Sequence, residues 1–128
     1  QLLEEKMISE KPKSKLGIAH TRWATHGEPS EINAHPHKSQ DSVYIVHNGI
    51  IENYVELRED LKKEGYEFIS QTDSELIAHM IDLMLCSMGN LESAIFSVSK
   101  MIEGNNTVAL MSKEIPDSIK KYNLTINM

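Results

Sequence analysis

The sequence predicts an α+β fold of mixed layers, and three observations lead there. Short β-branched runs such as Ser42-Val43-Tyr44-Ile45-Val46 stand beside stretches whose apolar residues recur at helical spacing, such as Leu76, Ile77, Met80, Ile81 and Met84. These segments follow one another irregularly, not as a strict strand–helix–strand succession. With 128 residues, 40% hydrophobic and 25% charged, the chain can bury one core and does not have the composition of a disordered segment.

Residues 1–9 read as the tail of a helix with Leu2, Leu3, Met7 and Ile8 on its apolar side, broken by Lys11-Pro12-Lys13. Leu16 to Trp23 reads as a strand running into a loop. Ala24 to Asp41 holds Gly27-Glu28-Pro29-Ser30 and His35-Pro36-His37 and follows neither a two-residue nor a 3.6-residue period, so it reads as one long loop. Ser42 to Val46 is a strand that ends in a turn at His47-Asn48-Gly49. Asn53 opens a helix with Tyr54, Leu57 and Leu61 on one face, Glu59 and Lys63 as a pair four residues apart, and Gly65 just past its end. Gly65 to Ile69 reads as a strand, through the alternation of Tyr66 and Phe68. Thr72-Asp73-Ser74-Glu75 has the capping-box pattern, with Thr72 as N-cap, and introduces the stripe from Leu76 to Met84. A third helix starts at Asn90, buries Leu91, Ala94, Ile95, Val98, Met101 and Ile102, and stops at Gly104. Thr107 to Met111 is a strand, Ile115-Pro116-Asp117-Ser118 a turn, and Tyr122, Leu124, Ile126 and Met128 alternate as a last strand.

Lys and Arg number 13 against 19 Asp and Glu, a net charge of -6. That balance argues against non-specific binding to nucleic acid or an anionic membrane, both of which need a basic surface. No apolar run reaches the roughly 18 to 20 residues that span a bilayer. The lone cysteine, Cys86, excludes an intrachain disulfide and suits a reducing compartment, so the expected location is the cytoplasm. The chain opens at Gln1 and closes inside an alternating stretch at Met128, and it reads as an internal piece of a longer gene product.

Two loops concentrate reactive residue types. In His20-Thr21-Arg22-Trp23-Ala24-Thr25-His26-Gly27, a guanidinium at a strand end can grip a carboxylate with two charge-assisted bonds, and Thr25 adds a donor. A surface Arg beside a packed Trp fits the same residues. In His47-Asn48-Gly49, a side-chain amide beside a glycine N–H offers two donors aimed at one point, as an acyl-transfer oxyanion requires; a plain Asn-Gly turn is the alternative. Asp73, at a helix N-terminus, either serves the first turn or holds a ligand ammonium. Five of the six histidines lie between His20 and His47, but His35-Pro36-His37 lacks a helical metal-pair spacing and has no cysteine near it, so no metal is expected. Cys86, beside Leu85 in an apolar helix, reads as a small core residue, and Met80, Met84 and Met101 as core filler.

Four segments taken together resemble the type-2 glutamine amidotransferase domain, whose catalytic cysteine is the first residue of the mature chain. They are Gly17 to Gly27, Asn33-Ala34-His35-Pro36-His37, Val46-His47-Asn48-Gly49-Ile50-Ile51-Glu52-Asn53, and Thr72-Asp73-Ser74-Glu75-Leu76-Ile77-Ala78-His79, in the family's order and with its loop lengths. The likeness is tight from about Gly17 to Ile81 and fades by Met111. In detail it looks most like the glutamine–fructose-6-phosphate aminotransferase branch; the amidophosphoribosyltransferase branch usually carries Arg-Tyr-Ser where this chain has Arg22-Trp23-Ala24.

The resemblance implies an N-terminal-nucleophile hydrolase fold, an αββα sandwich of two antiparallel sheets between helical layers, incomplete here at both ends. It makes residues 1–128 a partial glutaminase domain that lacks the nucleophile-bearing N-terminus and the C-terminal isomerase domain. It assigns Asn48 and Gly49 to the oxyanion hole. Arg22, Thr25 and His26 would hold the glutamine α-carboxylate, Asp73 its α-ammonium, and Trp23 belongs to the loop that closes on the ligand. The implied partners are glutamine and, at the missing domain, fructose 6-phosphate, with no cofactor and a homo-oligomer as the full-length protein. Cys86 is in the wrong place to replace the nucleophile, so the piece alone is expected to be inactive. A glutamine phosphoribosylpyrophosphate amidotransferase, or a degenerate glutamine-binding module without catalysis, are the alternatives.

Overall fold

A computed structural model describes residues 17–21, 29–40 and 42–112. The helix read at residues 1–9 and the last strand read from Tyr122 to Met128 lie outside the described residues, as does the turn at Pro116. The ordered elements are β1 (His37–Ser39), β2 (Val43–Gly49), α1 (Tyr54–Lys63), α2 (Ser74–Met88), α3 (Leu91–Met101) and β3 (Asn106–Ser112).

The three strands form one antiparallel sheet in the order β1-β2-β3. β1 and β2 are joined by a tight connection in which Ser42 N–H donates to the Ser39 carbonyl at 3.0 Å. Their register sets His37 against Ile45, and β3 returns along the other edge of β2 with Leu110 against Ile45 and Asn106 against Gly49. The two-residue period puts Val43, Ile45 and His47 on the buried face, together with Val108 and Leu110.

α2 packs on that face, against β1 and β2, and α1 and α3 lie against α2. Every residue from Ser74 to Asp82 is buried, as befits a helix enclosed on several sides. Leu76, Ile77, Ile81, Ile95 and Val98 join the sheet residues in one core, and Leu61 of α1 closes it from the side. Each fully buried Ile or Leu contributes roughly 1.5–3 kcal/mol, so the sheet face is held chiefly by α2. The described residues thus show one antiparallel sheet with a helical layer on one face.

Several local expectations meet a different outcome. Gly17 to Thr21 forms no strand, and no ladder partner stands beside it among the described residues. The loop read from Ala24 to Asp41 ends in a short strand, because His37 and Ser39 find buried partners and an edge of β2 to pair with. β2 runs on through His47-Asn48-Gly49 where a turn was expected, since β3 supplies partners as far as Asn106.

Gly65 to Ile69 is not a strand. Tyr66 and Phe68 do point inward, but onto α2: the Tyr66 hydroxyl donates to Asp82 Oδ2 at 2.7 Å and the Phe68 ring meets His79 at 4.9 Å. Ile69 is 74% exposed. The backbone donors a ladder would use go elsewhere: Ile69 and Ser70 N–H both donate to the Glu75 carboxylate, at 2.9 and 2.6 Å. Glu75 therefore does not complete a capping box. Asp73, not Thr72, is the N-cap of α2, and it makes no side-chain cap bond.

Asn53 does precede α1, yet its amide reaches across to α3, donating to the Met101 carbonyl at 2.9 Å and accepting from Glu103 N–H at 3.0 Å. Around α1 the ion pairs are Lys62–Glu59 and Lys63–Asp60, three residues apart, in place of Glu59–Lys63. They are exposed and contribute little. Asn90 caps α3 as its sequence suggests, accepting from Ser93 N–H at 2.9 Å. Met80 is buried and Met84 half-buried, but Met101 lies 41% exposed. Cys86 is exposed, because the buried stripe of α2 narrows after Ile81 and leaves position 86 on the outer side of the last turn.

Candidate active site

Asn48 and Gly49 are the last two residues of β2. Strand alternation buries His47 and turns Asn48 to the opposite, open face. Gly49 has φ +141°, and a Cβ there would run into the Asn105 carbonyl oxygen and stand 2.8 Å from Asn106 Oδ1. Only glycine fits so close an approach of β3 to the end of β2. A little further along, Glu52 N–H donates to the Glu103 carbonyl at 2.9 Å. The segment after the Asn-Gly pair is thereby fixed against the connection between α3 and β3.

Asp73 meets that same segment. Its Oδ2 accepts from Ile51 N–H at 2.9 Å, and the residue is 3% exposed. The described hydrogen bonds of its side chain engage only that oxygen. The N-terminus of α2 thus delivers a buried carboxylate two residues beyond Gly49, bringing together the candidate oxyanion donors and the candidate ammonium acceptor. Arg22, Trp23, Thr25 and His26 lie outside the described residues.

Beneath this junction lies a layer of buried imidazoles that no sequence pattern announces. His47 Nδ1 is 2.8 Å from Ser74 Oγ and its Nε2 is 2.6 Å from Asn106 Oδ1. Burial pushes the His47 pKa down; the Asn106 bond and the Asp73 charge push it up, His20 pushes it down further, and the balance stays below the usual imidazole value. The ring is therefore neutral at pH 7. His37 Nε2 lies 2.9 Å from Thr72 Oγ1, and His79 bridges Ser39 Oγ at 2.7 Å and Glu75 Oε2 at 3.2 Å. Burial pushes the Glu75 carboxyl up, but the His79 bond and the donors of Ser70 and Ile69 outweigh it and hold the group below the usual carboxylate range.

Chemically, the layer is a set of satisfied hydrogen bonds that seats α2 on the sheet. Among the described residues no three His, Cys, Asp or Glu side chains stand as a metal-binding group, and no helix is long and apolar enough to cross a membrane. His47 could have been suspected from its place beside Asn48, on the opposite face. Asn106 could not, since its importance arises from a strand register.

The wider likeness agrees with this geometry. Residues 5–108 match the family model of the glutamine amidotransferase domain. The glutamine–fructose-6-phosphate aminotransferase (isomerizing) of Clostridium tetani is 47% identical over 118 residues, 91% of this chain and 19% of that protein. The Escherichia coli protein of the same name is 52% identical over 103 residues, 80% of this chain and 17% of its own length. The chain spans about a fifth of the length of the curated relatives it matches.

Among solved structures, the Bacillus subtilis glutamine phosphoribosylpyrophosphate amidotransferase complexed with ADP and GMP overlays at a TM-score of 0.58 and 25% identity, covering 73% of this chain and 20% of that one. An allosteric regulatory enzyme of purine biosynthesis overlays at 0.60 and 29% identity, covering 73% and 21%. The backbone is thus that of the N-terminal-nucleophile amidotransferases. With the Asn-Gly strand end, the carboxylate at the head of α2 and a family match over most of its length, the chain belongs to the glutamine amidotransferase domain family.

Proposed function

We propose that the chain is the glutamine-hydrolysing part of an enzyme that passes ammonia to fructose 6-phosphate and so makes glucosamine 6-phosphate. The observation that carries the glutaminase reading is the Asp73–Ile51 bond, which sets a buried carboxylate beside the Asn48–Gly49 strand end. A free amino acid bears one carboxylate and one ammonium, so its site needs a cation and an anion flanking the reacting carbonyl. Asp73 serves as the anion, and Arg22, with Thr25 and His26, as the carboxylate grip, while Trp23 covers the ligand. The acceptor is argued from identity: the relatives at 47% and 52% are fructose-6-phosphate aminotransferases.

In this mechanism a thiolate attacks the side-chain amide carbon of glutamine. The C=O π pair moves to oxygen, where the Asn48 amide and the Gly49 N–H hold the oxyanion. The C–N bond then breaks, the nitrogen leaves as ammonia with the proton that the nucleophile's own α-amino group took from the thiol, and a thioester remains. Water attacks the thioester, releasing glutamate and the thiol. In this reading the attacking thiolate belongs to the N-terminal cysteine of the mature full-length protein. Cys86 does not fill the role: it is exposed and twelve residues along α2 from Ser74, about 18 Å at 1.5 Å per residue.

The test is glutamate release from glutamine by the full-length gene product, with and without fructose 6-phosphate. Stimulation by that sugar phosphate, and loss of activity on replacing the N-terminal cysteine, are the expected results. The solved-structure likeness favours one second reading, an amidotransferase acting with phosphoribosylpyrophosphate; stimulation by that compound instead would select it. Glutamine binding without turnover would select a non-catalytic module.

A further inference from the structure

Asn106 has no part in the amidotransferase roles so far assigned, yet it occupies the tightest point of the site. It opens β3 directly opposite Gly49 and is 2% exposed. Its Oδ1 lies 2.8 Å from the place a Cβ on Gly49 would take, so the Asn106 amide fills the flank that Gly49 leaves open. The same oxygen is 2.6 Å from His47 Nε2. A carbonyl oxygen only accepts, so Nε2 carries the proton and donates to it; Nδ1 then accepts from the Ser74 hydroxyl at 2.8 Å.

Ser74 follows Asp73, and Asp73 accepts from Ile51 N–H, two residues beyond Gly49. The contacts therefore close a ring: Gly49, Asn106, His47, Ser74, Asp73, Ile51 and back along the chain to Gly49. The side chains of Asn106, His47, Ser74, Asp73 and Ile51 are all buried. Short bonds in such a poorly screened interior fix the relative positions of the groups they join.

We propose that Asn106, acting through His47, is a positioning residue that holds the Asn48–Gly49 oxyanion donors at a set distance from Asp73 without touching the substrate. The proposal rests on the glutaminase reading above. Oxyanion donors act only within a fraction of an ångström of the right place, so loss of this support is felt in turnover more than in binding.

Two variants of the full-length gene product test it. Asn106→Leu removes the acceptor at similar volume, and kcat for glutamine hydrolysis should fall about tenfold while the glutamine KM stays within about twofold. Asn106→Asp keeps the acceptor but adds a charge. His47 then faces two carboxylates, the introduced one and that of Asp73, with Ser74 on α2 and His20 from the 17–21 segment as its other neighbours. The ring takes a second proton at higher pH, Nδ1 becomes a donor, and the Ser74 bond reverses.

The Asn106→Asp variant should therefore approach the parent kcat at about pH 9 and lose it on acidification while the parent profile is still flat. A kcat for Asn106→Leu within twofold of the parent, or kcat and KM drifting together with a lowered melting temperature, overturns the positioning role. If Asn106→Leu does not fold, an Asn106→Asp profile parallel to the parent's overturns it. A parent protein that hydrolyses no glutamine sinks the glutaminase reading and this role with it. Turnover that is indifferent to Asn106 sinks this role alone.

Discussion

Two side chains, Asn48 at the end of β2 and Asp73 at the head of α2, carry the proposed oxyanion and ammonium roles, and substitutions can separate their shares. Asn48 is exposed on the open face of the strand and makes no described hydrogen bond that folding depends on. Asn48→Ala in the full-length protein should lower turnover about a hundredfold, the usual result of losing one oxyanion donor, with little change in KM. Turnover left intact would remove Asn48 from the mechanism. Asp73→Asn keeps an oxygen to accept from Ile51 N–H, so the fold should survive, but the charge is lost. The glutamine KM should rise about tenfold or more, since the proposed ionic bond to the α-ammonium would be made in ground and transition states alike. Calorimetry that shows unaltered glutamine affinity would count against the ammonium role. Arg22→Ala should act on KM in the same direction if Arg22 takes its proposed hold on the α-carboxylate.

At the scale of elements, α2 is seated by polar bonds as much as by its apolar stripe, and these bonds can be weakened one at a time. Ser39→Ala leaves His79 Nδ1 buried without its 2.7 Å partner. The variant should lose about 1–3 kcal/mol of stability in urea unfolding, with an unchanged m-value. The apolar stripe of α2 was legible in the sequence because Leu76, Ile77, Met80 and Ile81 keep a 3.6-residue period over two turns, and α3 was legible for the same reason, with Asn90 marking its start. Gly65 to Ile69 misled because a period of two also describes an extended segment whose rings lie on a helix. Only the destination of its N–H groups, the Glu75 carboxylate, tells the cases apart, and that bond spans a turn no pattern encodes. The positions of Asn48, Gly49 and Asp73 could be named from motif spacing. The His47–Asn106 bond could not, since it joins residues 59 apart through a register that exists only once the sheet is built.

For the molecule as a whole, the buried titratable groups make one joint prediction. His47 has a folded-state pKa below its ordinary 6.5, so the unfolded chain binds protons that the native one refuses, and stability falls as pH drops below about 6.5. Glu75 is likewise held below its ordinary 4.5, and its contribution is present above that value and lost as pH falls through the folded pKa. Both act in one direction, so the melting temperature should be level near neutrality, slope downward below about pH 6.5 and steepen below about pH 4.5. A melting temperature that rises on acidification in this window would contradict both the burial of His47 and the hydrogen bonds that hold Glu75 ionised. Finally, the place of β2 at the centre of the sheet has a consequence for synthesis. Its pairing with β1 crosses only the Ser39–Ser42 connection, but its other edge waits for Asn106–Ser112. At roughly 5–20 residues per second, translation leaves that edge open for several seconds. During this interval the strand that ends in Asn48 and Gly49 is a sticky template for any neighbouring chain. Nascent chains stalled before Asn106 has emerged should therefore bind holdase chaperones strongly, and chains stalled well beyond Ser112 should release them.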